Sequence, residues 1–228
     1  WDPHVRMGMA ASPGPLLIWP RLMSDAIARE LLLTGRKVRA EEAVRLGLGI
    51  APESVTDIVV THSHWDHMDG VDLFPKATIH IQRDEREYYV GPMGEVLHTG
   101  GVDADDAKML AALADAGRVR LVEGDAREIL PGLTAYTGGK HTWASQYVGV
   151  TTRDGVVVLA SDNAYLYENL EGPRAIAQTL DPASNVAAQT RMLSLAASPG
   201  LVVPGHDPAV FDRYPRPGLG VALIAPRR

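Results

Sequence analysis

Residues 61–67 read Thr61-His62-Ser63-His64-Trp65-Asp66-His67, and His62, His64, Asp66 and His67 are all side chains that ligate metals. The run follows Asp57-Ile58-Val59-Val60, a β-branched apolar stretch, so it begins where a buried strand gives way to a loop. A strand end fixes the backbone, and the loop beyond it can turn several imidazoles toward one point. His62 and His64 alternate with Ser63 and so share a face, while Asp66 and His67 follow the bend. One short segment can therefore serve two metal ions side by side, and a metal pair sharing a hydroxide is a hydrolytic centre. Three histidines and one aspartate packed this closely are hard to explain as core filling.

Working outward, the pattern from Gly49 onward alternates strands with helices. Strands are expected at 57–61, 77–82, 118–122, 133–137, 147–152, 155–160 and 201–203. The 147–152 and 155–160 pair reads as a hairpin around Arg153-Asp154-Gly155. Helices are expected at 83–90, 104–116 and 185–197, the last with Asn185 as its cap and Val186, Met192, Leu193 and Ala196 on one side. Asp103, Asp105 and Asp106 read as the acidic first turn of a helix. Residues 91–102, with Gly91, Pro92, Gly94, Gly100 and Gly101, lack periodicity and read as a mobile loop.

Three more ligand candidates lie in strand-end contexts. His141 sits in Gly138-Gly139-Lys140-His141-Thr142, Asp162 follows the apolar strand in Ser161-Asp162-Asn163, and His206 lies in Pro204-Gly205-His206-Asp207. A rigid strand can hold each one while leaving it accessible. The set divides chemically. His62, His64 and His141 supply three imidazoles to one metal, Asp66, His67 and His206 a carboxylate and two imidazoles to another, and Asp162 can bridge both. Taken singly, His141 or His206 is more often a hydrogen-bonded loop histidine than a ligand. His4, His80 and His98 are read as ordinary hydrogen-bonded histidines. Nitrogen and oxygen donors suit two zinc ions, though iron, manganese or cobalt would also fit.

Composition sets the outer limits. The chain has 228 residues, 46% of them hydrophobic, with a formal charge of −6. That is long enough for a large domain and a sizeable core. Lys and Arg form no stripe, which gives no support for a nucleic-acid partner. No apolar run is long enough to span a membrane. Cysteine is absent, so disulfides and thiolate ligands are excluded. The chain carries no signal-peptide pattern, and its start at Trp1 rather than at Met suggests a fragment or processed product. A cytoplasmic location is the expectation.

Residues 49–228 resemble the metallo-β-lactamase superfamily, whose hallmark is a His-x-His-x-Asp-His motif followed by His, Asp and His ligands. The resemblance implies an α/β (α+β) fold, a four-layer αββα sandwich with a dinuclear site at one edge between two sheets. It also narrows the branch. The bridging Asp162 is typical of glyoxalase II-like thioesterases, phosphodiesterases and quorum-quenching lactonases. Asp162-Asn163-Ala164-Tyr165 resembles the Asp-x-x-Tyr of N-acyl homoserine lactonases, in which the tyrosine contacts the substrate carbonyl. Lys140-His141-Thr142-Trp143-Ala144-Ser145 departs from the usual Gly-His-Thr-Pro-Gly-His.

The activity so implied is opening of a lactone such as an N-acyl homoserine lactone, by hydroxide generated between two metals. A glyoxalase II-like thioesterase or other carboxylic-ester hydrolase is the alternative. Asp66 would be both ligand and proton shuttle, and Tyr165 a donor to the developing oxyanion, although an aromatic there also suits a core or rim. Trp65, Met68, Trp143 and Tyr167 are pocket-lining candidates, some of which can equally pack beneath the site. The implied partners are small lactones, esters or thioesters.

Residues 2–48 resemble something else. Asp2-Pro3-His4-Val5-Arg6-Met7-Gly8 and Ala28-Arg29-Glu30-Leu31-Leu32-Leu33-Thr34-Gly35-Arg36 are similar to an enoyl-CoA hydratase (crotonase) chain, with short helical patterns at 24–34 and 40–46. The domain division expected is thus a crotonase-like helical segment, 1–48, fused to a metallo-β-lactamase-like domain, 49–228. Such a chimera would lack the usual opening strands of the first sheet. The edge left unpaired would favour a homodimer or aggregation, and an inactive fragment is the reading from another class.

Overall fold

Thr78-Ile79-His80-Ile81-Gln82 forms a strand whose last four residues are buried, Ile79 and Ile81 on one face and His80 and Gln82 on the other. A strand buried on both faces needs cover on both sides, and the rest of the fold supplies it. The computed structural model describes residues 51–215 and 222–224. The readings made for residues 1–50, including His4, both short helical patterns and the opening strands of the first sheet, lie outside them.

Contacts divide the chain into two units. One carries Asp57–Asp72 and Ala77–Asp207 and, among the described residues, every strand. The other includes a 3-10 turn at Pro52–Ser54 and a short helix at Val210–Arg213.

In the larger unit, β1 (Asp57–Val59), β2 (Thr78–Gln82) and β3 (Val119–Val122) form a parallel three-stranded sheet in that order. β4 (Arg127–Leu130), β5 (Leu133–Thr137), β6 (Gln146–Thr152), β7 (Gly155–Ser161) and β8 (Val202–Pro204) form the second sheet, antiparallel except for the parallel β7–β8 pair. The helices are α1 (Trp65–Met68), α2 (Arg83–Tyr89), α3 (Ala104–Asp115), α4 (Tyr167–Glu171) and α5 (Pro182–Leu195). α2 and α3 lie against the first sheet and α5 against β7 of the second, which gives the expected succession of helix, sheet, sheet and helix.

Local chemistry accounts for the main boundaries. The Asp103 carboxylate accepts from the Asp105 backbone N–H and starts α3, whose Ala107, Leu110, Ala111 and Leu113 are buried. Gly117, at φ +72°, ends it in the left-handed conformation that a glycine adopts without strain. The β6–β7 hairpin turns at Arg153-Asp154 as expected, with Thr152 opposite Gly155. Gln146 joins the two sheets. Its side-chain amide donates to Val60 O at 2.8 Å and accepts from Gln82 at 3.1 Å, and its backbone N–H donates to Thr61 O at 2.8 Å.

Some expectations require correction. α5 begins at Pro182 with Asp181 as its cap, not at Asn185, because an aspartate before a proline supplies the acceptor and fixes the first helical φ. Asn185 and Gln189 are instead buried on the inner face of α5 with Ala188 and Met192. Strand β4 and the short helices α1 and α4 were not expected. Residues 91–102 hold only the isolated bridge Val90–Val96.

Candidate metal centre

β5, β7 and β8 run in one direction, so their C-terminal ends share one edge of the second sheet. The loops after β5, β7 and β8 carry His141, Asp162 and His206, and the loop after β1 carries His62, His64, Asp66 and His67. All seven expected ligands come together. The nitrogen atoms of His62, His64 and His141 lie within 4.8 Å of one another, as do single ligand atoms of Asp66, His67 and His206, and of His62, His67 and Asp162.

The backbone is forced to present them. Lys140 (φ 54°) and Ser161 (φ 48°) are non-glycine residues with positive φ, and each immediately precedes a ligand, His141 and Asp162. Strained backbone of this kind persists only where its surroundings over-determine it. The surroundings here are specific. Asn163 Oδ1 accepts from Gly139 N at 2.6 Å, and Asn163 O accepts from the Asn185 and Gln189 side chains of α5. A Cβ on Gly139 would lie 2.4 Å from Asn185 Cα, so only glycine lets this loop pass α5.

The outward nitrogens are held by partners that leave the inward ones free. His141 Nδ1 donates to Gln178 O at 2.7 Å, which places the lone pair on Nε2. His62 Nδ1 meets Thr61 Oγ1 at 3.1 Å, and Thr61 Oγ1 is in turn 2.8 Å from Ser161 Oγ.

Inside the cluster the contacts look unlike ordinary hydrogen bonding. His141 Nε2 lies 3.0 Å from His64 Nδ1, and His67 Nε2 lies 3.3 Å from His206 Nε2. Asp162 Oδ1 is 3.1 Å from His67 Nε2 and 3.0 Å from His206 Nε2, while Asp162 Oδ2 is 3.4 Å from His141 Nε2 and 3.9 Å from His62 Nε2. Yet His62 Nε2 and Asp162 Oδ1 are buried without a well-directed hydrogen bond. Buried polar atoms of this kind call for a partner. Convergent imidazole and carboxylate lone pairs with orphaned buried atoms are what a pair of cations would fill, so the donor set fits the metals implied by the sequence.

Protonation follows the same logic. Burial, then the neighbouring His67, holds the pKa of His62 well below the usual imidazole range. Burial and His141 bring that of His64 down to about 4, and burial also lowers that of His141. Neutral imidazole is the form that ligates a cation. Burial alone would raise the Asp162 carboxyl, but the imidazoles of His206 and His67 crowded against it outweigh burial and hold it far below the ordinary range. The Asp162 carboxylate, 3.0 Å away, raises His206.

A sequence profile described as the Metallo-beta-lactamase superfamily matches residues 34–206, reaching back into the segment 1–48 read above as crotonase-like. The chain belongs to the metallo-beta-lactamase superfamily. Among curated superfamily relatives, human Metallo-beta-lactamase domain-containing protein 1 is 30% identical over 166 residues, 71% of this chain and 51% of that protein. N-acyl homoserine lactonase AttM of Azorhizobium caulinodans is 28% identical over 176 residues, 73% of this chain and 64% of that protein. The chain thus spans about half the length of the first relative and under two thirds of the second. Among solved structures, a B. thuringiensis AiiA mutant with N-decanoyl-L-homoserine bound at its active site superposes with a TM-score of 0.58 at 24% identity, covering 74% of this chain and 62% of that one.

Around the superfamily motif, the other expected site residues separate. Tyr165 is half-buried, its ring 5.7 Å from both His141 and His206 and its hydroxyl 3.4 Å from His141 Nδ1. Burial, with the carboxylates of Asp162 and Asp66, raises its pKa, so the phenol stays protonated. Trp143 is exposed at 42%, stacked on Tyr88 at 4.4 Å with the Lys140 ammonium 4.3 Å from its ring centre. Tyr88 also stacks with His98 at 3.8 Å. Trp65 is half-buried, and its backbone N–H donates to Gly101 O at 2.9 Å. Met68 and Tyr167 are core residues, 0% and 3% exposed, so of the two readings left open for them they take the one that packs beneath the site. The single turn of α1 leaves Asp66 exposed and turns Met68 inward.

Sequence reading missed Glu85 and Gly101. Glu85 is fully buried; its Oε1 accepts from Ser63 N at 2.9 Å and its Oε2 from Ala144 N at 2.7 Å. Burial raises its pKa. Gly101 packs on His64, since a Cβ there would lie 2.8 Å from His64 Cδ2.

Proposed function

We propose that this chain is a dinuclear metal-dependent hydrolase that opens lactones, with N-acyl homoserine lactones as the representative substrates. The observation that carries the reading is the convergence of seven nitrogen and oxygen donors from four strand ends, with Asp162 offering one oxygen to each side. In this reading His62, His64 and His141 hold one cation, Asp66, His67 and His206 the other, and Asp162 lies between them. When bound, such a pair supplies Lewis acidity and lowers the pKa of water to near neutrality. Zinc is the first choice for this donor set.

The chain's own residues do the rest. Asp66 is exposed and stands beside His67, so it can pass a proton to a leaving oxygen. Tyr165, kept protonated, can donate to a carbonyl oxygen as charge develops on it. The part of the Trp143 side chain left exposed, two residues after His141, can contact an acyl group.

The test is metal analysis paired with turnover. The purified chain, loaded with zinc, should hold about two ions and open acyl-homoserine lactones faster than it cleaves thioesters. His64→Ala should lose bound metal and activity together. Faster thioester cleavage would favour the glyoxalase II-like alternative, and a wild-type chain that takes up no metal would refute the enzyme reading.

A further inference from the structure

We infer that Glu85 is a positioning residue for the metal centre, a buried carboxylate that ties the His62–His64 segment to the His141 loop. The inference rests on the proposed metal-hydrolase reading and goes beyond its ligand set. Ser63 lies between two imidazole ligands and Ala144 lies three residues past a third, and one side chain receives the backbone N–H of both. Those two segments belong to different sheets, since one follows β1 and the other joins β5 to β6.

The choice of residue argues for this role. Among the described residues Glu85 forms no ion pair, so its charge is buried without a cation beside it. A carboxylate in such a place is costly unless hydrogen bonds compensate. Only an ionised carboxylate offers an acceptor to both N–H groups at once. A glutamine would present its own NH2 to one of them, donor against donor, and an alanine would leave both unanswered. α2, which carries Glu85, starts directly after buried strand β2, so the carboxylate is delivered from a rigid element. Tyr88, on the same helix, stacks on Trp143 of the same loop, which gives that loop a second anchor.

A purely structural role would show as lost folding stability alone. A positioning role makes cation binding depend on Glu85 more than stability does. The experiment loads the full chain with Co2+ alone, whose visible absorption reports ligand geometry, and measures its retention against a chelator. It uses the wild type, Glu85→Gln, Glu85→Asp and the core truncation Leu110→Ala, with denaturant unfolding of each metal-free chain. Glu85→Gln should weaken Co2+ retention roughly 10- to 100-fold, the scale seen when ligand orientation is disturbed, and alter the spectrum. Glu85→Asp, which keeps both oxygens on a shorter arm, should fall between Gln and wild type. Leu110→Ala should lose stability while keeping wild-type affinity and spectrum.

Wild-type affinity and spectrum in Glu85→Gln would overturn the inference. So would an equal loss of affinity in Leu110→Ala at matched stability. If Glu85→Gln does not fold, wild-type affinity in Glu85→Asp overturns it as well. A wild-type chain that binds no Co2+ defeats the hydrolase reading itself, and the two failures are thereby told apart.

Discussion

Gly100 and Gly101 form a matched pair for testing how the 91–102 segment bears on the ligands. Both have positive φ, +131° and +97°. An alanine at either position is forced into backbone that L-residues avoid, at a cost of about 1–3 kcal/mol. The two differ in what the new methyl would meet. At Gly100 nothing lies within 4 Å, whereas at Gly101 the Cβ would sit 2.8 Å from His64 Cδ2, 3.2 Å from Nε2 and 3.3 Å from Cγ. Ordinary carbon contacts begin near 3.5 Å, so the imidazole must retreat by roughly half an ångström or more. His64 Nδ1 is 3.0 Å from His141 Nε2, and that shift spoils the convergence of the pair. Gly100→Ala should therefore cost only stability, read by urea unfolding of the metal-free chain. Gly101→Ala should cost a similar amount and in addition weaken zinc retention roughly 10- to 100-fold, the scale seen when ligand orientation is disturbed. Equal zinc affinity in the two variants would refute the argument, because the His64 contact would then have no consequence.

Other outcomes follow from the site and its supports. Tyr165→Phe should lower kcat by about 100-fold with little change in KM, the effect of losing one oxyanion donor worth about 3 kcal/mol; an unchanged kcat removes Tyr165 from the chemistry. The metal-free chain should lose stability as pH falls from 6.5 toward about 4, because unfolded histidines take up protons that folded His64 refuses. His62 and His141 act with the same sign, and His206, raised by Asp162, opposes them in part. Denaturant melts across that range, with chelator present, check the slope. Asn185→Ala removes the acceptor for Ile176 N and a donor to Asn163 O, and should cost about 1–3 kcal/mol of stability by urea unfolding.

The ligand positions were legible because metal chemistry restricts residue type so strongly. A run such as His62-Ser63-His64 after a β-branched strand has few other uses, and the strands at 133–137 and 155–161 announce themselves through apolar and β-branched content. Glu85 was not legible. It sits in Arg83-Asp84-Glu85-Arg86-Glu87, a charge-rich run that reads as a solvated face, and only the placement of the 61–67 and 138–145 loops shows which of its carboxylates is buried. β4 was missed for a related reason: Arg127 and Glu128 are exposed, and pairing with β5 makes the segment a strand. In α5 the inner face carries Asn185 and Gln189, whose partners Asn163, Arg174 and Ile176 lie in other segments, so its periodicity pointed to the wrong cap. For Met68 the sequence left pocket lining and packing beneath it both open, because a one-turn helix gives too little sequence to fix which way it faces.

The ligands are recruited from both sheets, β1 on one side and β5, β7 and β8 on the other. Cations seated among them would act as a rivet through the sandwich. The sheets could not then part without stripping ligands from both ions, so the rate of opening would be tied to the rate of metal escape. Cation supply would govern how long each copy survives proteolysis, and copies left unfilled would be cleared from the pool.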